Sequence, residues 1–221
     1  MMLDKYNLFR SNYTVKETEA FLQEVVDAKY DKKQVQQILE AFDVACNAHR
    51  NCYRGDNAPY IIHPMRVALM LLNFDPDTIS KVFIAGLLHD TLEKTELTFS
   101  EIEDRFGRYV AKLVQTITRK HCEEQSFLEK IGAKRQNWLE VISSGHEARM
   151  IKTCEDLDNM ICWKNIPEGS LSSKKIPRWL KEAKEMSLPL ARVTNVQVYN
   201  VMCQEYAYYV ERGLADQPIT I

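Results

Sequence analysis

Two histidines and an aspartate carry the first chemical signal in this chain. His63 stands in "YIIHPM", and His89 and Asp90 stand side by side in "GLLHDTLEK". The run before the pair holds Val82, Phe83, Ile84, Ala85, Leu87 and Leu88, apolar on nearly every side, as in a helix buried within a core. Burying an unpaired carboxylate is costly, so Asp90 needs a partner. A metal ion is one candidate, and "TCEDLDN" can supply a further acidic ligand. Imidazole and carboxylate together suit Mn²⁺, Fe²⁺ or Zn²⁺. A divalent ion with an open position polarises phosphoryl oxygens and makes hydroxide available near neutral pH. Each piece alone is weak. A His before Pro is more often a cap or a hydrogen-bonded loop residue, a lone His-Asp pair is usually chance, and "EDLD" reads equally as a solvated helix face.

The elements that must position these residues are nearly all helical. Thr14 and Glu17 form a capping-box pattern ahead of Phe21, Leu22, Val25 and Val26. A second helix carries Val35, Ile38, Leu39, Phe42, Ala45, Cys46 and His49 on one stripe, which makes His49 a hydrogen-bonded core histidine rather than a catalyst. "NCYRGDNAPY" is a loop, and Pro64 suits the first position of the next helix. Asp75 and Pro76 in "DPDT" cap and open the buried helix, and "TFSE" from Thr98 to Glu101 is another capping box. Gly107 ends that short helix. Beyond Lys120 the signals weaken until Met150, Ile151, Cys154, Leu157 and Ile161 make a stripe. "KNIPEGSLSSKKIP" reads as a polar loop, and a final helix ends at Gly213 with Tyr206, Tyr208 and Tyr209 as packing residues. His121 and His146 sit in polar surroundings and read as surface residues. No strand pattern, internal repeat or phosphate-cradling glycine loop is present. The expectation is one all-α domain over residues 1–221.

Composition narrows the function classes. The 221 residues suffice for one good-sized core. A net charge of −2 gives no global basic field for nucleic acid or an anionic membrane. The N-terminus lacks an apolar signal core, and "VALMLL" is too short to span a bilayer. Cys46, Cys52, Cys122, Cys154, Cys162 and Cys203 form no C-x-x-C pair, which argues against a zinc-thiolate site and for reduced thiols in a cytoplasm.

Taken together, the motifs resemble the HD-type hydrolase domain of the RelA/SpoT family, including its stand-alone small alarmone hydrolases. The resemblance rests on Ala48-His49, Arg54, Pro59-Tyr60-Ile61, His63-Pro64, Leu87 to Asp90, Glu93, Thr95, Phe106-Gly107, Val110 and Leu113-Val114. It is dense from Ala45 to Thr118, returns at "MIKTCEDLDNM" and is faint at "KEMSLPLARVTN". The sequence stops there, so the synthetase domain of the long members is expected to be absent. The resemblance implies an HD-domain helical bundle that hydrolyses the 3′-pyrophosphate of (p)ppGpp with Mn²⁺. It implies that His63, His89 and Asp90 bind the ion, that Glu93 orients or deprotonates the attacking water, that Arg54 stacks on the guanine, and that Asn159 contacts the nucleoside.

Two departures from the family pattern matter. The family's second metal-binding Asp aligns with Glu155, and a shift by one residue would offer Asp156 instead. Glu155 is favoured as the fourth ligand because it lies one turn before Asn159, whereas Asp156 turns about 100° away. Asp158 projects near the apolar stripe, where the family usually has His. The second departure is Lys94, where the family has an Asp that serves the water together with the Glu. The ammonium there is expected to slow (p)ppGpp hydrolysis, or to favour a different phosphate arrangement, with nucleotide binding retained. Two further readings therefore stand beside the hydrolase: a nucleotide-binding regulatory domain with lost turnover, and a hydrolase of another phosphorylated nucleotide.

Overall fold

Side-chain caps set several helix starts. In the computed structural model, which describes residues 14–55, 57–119 and 127–215, the boxes expected at Thr14/Glu17 and Thr98/Glu101 are both formed, and Asp31/Gln34 makes a third. They open α1 (Val15–Lys29), α2 (Lys32–Ala48) and the helix Phe99–Phe106. Between these lie α3 (Ile62–Phe74), α4 (Ser80–Leu88) and the single turn α5 (Thr91–Lys94), so that Phe99–Phe106 is α6. Then follow α7 (Arg108–Ile117), α8 (Phe127–Ile142), α9 (His146–Cys162), α10 (Ile176–Glu182), α11 (Leu188–Thr194) and α12 (Val196–Val210). The described residues contain no strand, only an isolated bridge between Tyr53 and Pro59. The fold is all-α, as expected. No described helix is long and apolar enough to cross a membrane.

α3 and α4 form the centre. α3 packs on α4 and α9, and α4 also packs on α2 and α7, so both are buried on almost every side. One continuous apolar cluster runs from Leu22 on α1 to Tyr209 on α12, with Tyr206 and Tyr209 inside it. Gly86 permits a close approach of α4 to α3. A Cβ there would lie 2.9 Å from Leu71 Cδ1 and 3.4 Å from Ala68 Cα. The missing side chain lets α4 lie close against α3, and this brings the end of one helix to the start of the other.

Several boundaries differ from expectation. The buried helix starts at Ser80, not at Pro76. The Asp75 side chain accepts from the Asp77 N–H, and the Asp75 carbonyl accepts from the Thr78 N–H, so "DPDT" is spent on a turn. Pro64 is the third residue of α3, where its missing N–H is still one of the donors without an intrahelical acceptor. α8 fills a stretch in which no helix was expected. The supposed loop after α9 contains two 3₁₀ turns, Trp163–Asn165 and Ser173–Lys175, and runs into α10. A π-helical turn, Ala183–Ser187, joins α10 to α11. His146 is exposed, as expected, and His121 lies outside the described residues.

His49 caps α2 and is 4% exposed, its ring 4.7 Å from that of Tyr60. It is a core residue, but its buried Nε2 has no hydrogen-bond partner among the described residues. Burial pushes its pKa down to about 4, Asp90 pulling it up and His89 and Lys94 adding to the fall. The unfolded chain therefore takes up the proton first as pH falls. The stability due to neutral His49 is complete above about pH 6.5 and is lost towards pH 4, by about 1.4 kcal/mol per pH unit at most. Urea unfolding at pH 7, 5.5 and 4 should show this slope, and His49→Gln should flatten it. An equal slope in both proteins would assign the effect to another group.

Candidate active site

His63 is the second residue of α3, His89 directly follows α4, and Asp90 directly precedes α5. The contact of α3 with α4 brings the three together. His63 Nε2 and His89 Nε2 are 3.2 Å apart, and Asp90 Oδ2 is 3.5 Å from the first and 3.4 Å from the second. All three residues are buried. Their other contacts fix the hydrogen positions. His89 Nδ1 lies 2.7 Å from the Gly86 carbonyl, and His63 Nδ1 lies 2.6 Å from Asp158 Oδ2. Both partners only accept, so both Nδ1 atoms donate and the neutral rings present Nε2 lone pairs to one another. Two lone pairs and a carboxylate oxygen turned inward at this spacing call for a cation. The nitrogen and oxygen donors fit a divalent ion, and ring N–H groups held by carbonyl or carboxylate are the usual support for metal-bound histidines.

The two rings differ electrostatically. Burial, and then the Arg54 charge, hold the His63 pKa well below its ordinary value. Burial lowers that of His89 too, but the Asp90 carboxylate overrides it and the net shift is upward. A proton and a metal ion would thus compete for the same His89 lone pair.

The residues after Asp90 are engaged elsewhere than their spacing suggested. Lys94 Nζ stands 2.7 Å from Asp90 Oδ2 and also donates to the Tyr60 hydroxyl, which itself donates to Asp90 Oδ2. Glu93 is held by Arg119, whose guanidinium nitrogen is 2.6 Å away, and it lines the cavity beside the trio. Lys94 therefore meets the carboxylate of Asp90 and not that of Glu93.

α9 forms the opposite wall of a cavity of about 500 Å³. Arg54 donates to Asn159 Oδ1 at 2.9 Å, so the two expected nucleoside-binding residues are in contact. Glu155 is not assembled with His63, His89 and Asp90. Lys152, one turn earlier, draws its carboxylate to 2.9 Å and that of Asp156 to 3.2 Å. The "EDLD" cluster is no solvated face, because Asp158 is fully buried against α3. Burial alone would raise the Asp158 pKa, but Arg66 and His63 beside it take it far below the usual carboxylate range.

Sequence reasoning missed Tyr60, Arg119 and Lys152 as parts of this wall, and all three tryptophans, Trp138, Trp163 and Trp179, which line the cavity. Trp163 and Trp179 are stacked at 5.6 Å. Two signals were present: Lys152 precedes Glu155 and Asp156 at helical ion-pair spacing, and Trp163 follows Asn159 by one turn.

The match to known proteins falls on the same elements. The family model described as "HD domain" matches residues 41–169. The zebrafish (Danio rerio) guanosine-3′,5′-bis(diphosphate) 3′-pyrophosphohydrolase MESH1 is 31% identical over 179 residues, 80% of this chain and 94% of the relative. The mouse (Mus musculus) protein of the same name is 32% identical over 180 residues, 80% of this chain and 96% of its own. A solved structure described as "A metazoan ortholog of SpoT hydrolyzes ppGpp and plays a role in starvation responses" superposes with a TM-score of 0.68 at 27% identity, covering 80% of this chain and 96% of that one. A buried His-His-Asp trio between two core helices, with these likenesses, places the chain in the HD-domain family, on the branch of the MESH1 and SpoT-like pyrophosphohydrolases.

Proposed function

We propose that this chain is a metal-dependent phosphohydrolase that removes the 3′-pyrophosphate of a guanosine (p)ppGpp-type alarmone, the reaction for which its relatives are named. The observation that carries this reading is the convergence of two Nε2 lone pairs and one Asp90 oxygen beside a nucleotide-sized cavity. His63, His89 and Asp90 would hold the ion, for which Mn²⁺ is our choice because the donors are imidazole and carboxylate without thiolate. When bound, such an ion supplies Lewis acidity to a phosphoryl oxygen.

The chain's own residues do the rest. Arg54, steadied by Asn159, lays its planar guanidinium against the purine, and Asn159 contacts the nucleoside. Glu93 takes a proton from the attacking water, and the Lys94 ammonium on Asp90 Oδ2 slows the reaction. The water oxygen bonds to the phosphorus attached to O3′, the P–O3′ bond breaks, and O3′ ends protonated, giving pyrophosphate and GDP or GTP. A partner of this kind, and no nucleic acid, accords with the net charge of −2. Cys46, Cys52, Cys154, Cys162 and Cys203, none in a disulfide, accord with a cytoplasmic setting, and the continuous apolar cluster accords with one domain. A panel of guanosine and adenosine nucleotides with Mn²⁺, assayed for pyrophosphate and phosphate release, tests the reading. No release from any of them would overturn it.

Glu155 remains our choice for the fourth ligand, at the cost of its Lys152 contact. Its charge is felt at His89 and Tyr60. Glu155→Gln should weaken Mn²⁺ affinity about tenfold and Asp156→Asn much less, on the scale of groups that tune a metal site. Equal effects in a metal-binding titration, or the reverse order, would remove Glu155 from the set.

A specific observation favours a second reading. The Lys94 ammonium rests on the Asp90 oxygen that the ion would use. That suits a nucleotide-binding regulatory domain with weak turnover, or a hydrolase whose phosphates sit differently. Binding without release in the same panel would select the first, and release from a nucleotide other than (p)ppGpp the second.

A further inference from the structure

We infer that Asp158 is a positioning residue that fixes His63 in its Nδ1–H form and ties the metal seat to the nucleoside end of the cavity. The inference rests on the metal reading above and concerns a residue given no role there.

Asp158 is completely buried, yet its two carboxylate oxygens are fully used. Oδ2 accepts from His63 Nδ1 at 2.6 Å, and Oδ1 accepts from Arg66 Nε at 2.6 Å, with Arg66 Nη2 3.2 Å from Oδ2. His63 and Arg66 are three residues apart on α3 and so present one face to α9. Arg66 grips the carboxylate with two nitrogens in the manner of a fork, which fixes its orientation as well as its charge. A carboxylate so oriented leaves His63 one arrangement, with the proton on Nδ1 and the lone pair on Nε2, facing His89 Nε2 and Asp90. Without Asp158 the ring is free to carry its proton on Nε2, the atom that must be bare.

The same residue reaches the other end of the site. Arg54 Nη2 lies 4.0 Å from Asp158 Oδ2 and 2.9 Å from the side-chain oxygen of Asn159, the next residue on α9. One helical step therefore links the residue that orients a metal-ligand histidine to the pair expected against the nucleoside. Arg66 lends a hydrogen bond to Cys162 Sγ at 2.7 Å, one turn beyond Asp158, which pins α3 to α9 a second time.

Asp158→Ala alone would take from the buried Arg66 charge the carboxylate it grips with two nitrogens and could unfold the chain. The informative variant is Asp158→Leu with Arg66→Met, which removes both charges and keeps apolar volume. Two measurements on it and on the parent protein decide the matter. The first is the tautomer of His63 by ¹⁵N NMR of the protein stripped of metal. The parent should show the Nδ1–H form alone, and the folded double variant a substantial Nε2–H share. The second is Mn²⁺ affinity by titration, which should fall by about tenfold to a hundredfold, as is usual when the partner of a metal-bound histidine is lost. Restoring Asp158 and Arg66 together should restore both. If the folded variant keeps the Nδ1–H form and parental Mn²⁺ affinity, the inference is overturned and the metal reading stands. If the parent binds no Mn²⁺ at any concentration, the metal reading fails, while the tautomer result still accepts or rejects the role of Asp158. A parent already in the Nε2–H form overturns the inference outright.

Discussion

His89→Ala is expected to remove Mn²⁺ binding and hydrolysis together. The seat has three inward-facing donor atoms within 3.2 to 3.5 Å of one another, and this substitution takes one away. Loss of an outer partner of a metal ligand costs about tenfold to a hundredfold in affinity, so loss of a ligand itself should exceed a hundredfold. The change also deletes the hydrogen bond to the Gly86 carbonyl at the end of α4, so helicity and thermal unfolding should be followed alongside. The decisive measurement is metal content after dialysis against micromolar Mn²⁺, set beside pyrophosphate release. A folded His89→Ala protein with parental metal content would show that the ion, if any, sits elsewhere. Chelation of the parent should mimic the mutant and be reversed by added Mn²⁺, whereas the mutant should not be rescued.

Lys94→Asp is expected to raise (p)ppGpp hydrolysis by about tenfold, a barrier change near 1.4 kcal/mol. The ammonium lies on Asp90 Oδ2 at 2.7 Å and is tied to the same oxygen through Tyr60. A cation in that place competes with a metal ion for the only carboxylate of the trio. Lys94 is 38% exposed, so the competition should weaken as salt is added. Lys94→Met separates two contributions. It removes the competitor without adding a carboxylate, so it should raise Mn²⁺ affinity with a smaller gain in turnover, while Lys94→Asp should raise both. If either variant lowers hydrolysis at saturating Mn²⁺, the lysine works on the phosphates and the picture of a competitor is wrong.

Most of the helical framework was legible because caps and apolar stripes are local. Thr14 with Glu17, and Thr98 with Glu101, announce their helices within four residues. α8 was not legible, since its apolar positions form no clean stripe against so much polar sequence. "DPDT" misled because Asp75 can cap a helix or close a turn, and only the contacts of α4 with its neighbours decide between them. The same division runs through the site. His63, His89 and Asp90 could be gathered from motif and burial, and Arg54 with Asn159 from the resemblance. The partners of Lys94, Glu93, Glu155 and Asp158 could not, because each is set by a choice among nearby opposite charges. Glu93 could pair with Lys94 one residue on, yet it takes Arg119 from two residues beyond α7. Asp158 projects near the apolar stripe in the sequence, but its partners Arg66 and His63 reach it across 92 and 95 residues.

The three tryptophans around the cavity give the molecule a built-in optical reporter. Every indole in the chain lines this one chamber, so its ultraviolet emission arises from the walls that a bound purine would touch. Trp163 and Trp179 already lie in a stacked pair, and the Trp138 Nε1–H donates to the Met186 carbonyl on the π-helical turn, so neither environment is plain solvent. A flat nucleobase entering beside them would quench or shift that emission without any label. Occupancy of the chamber can thus be followed by light even in a variant that turns nothing over, which separates the act of holding a nucleotide from the act of cutting one.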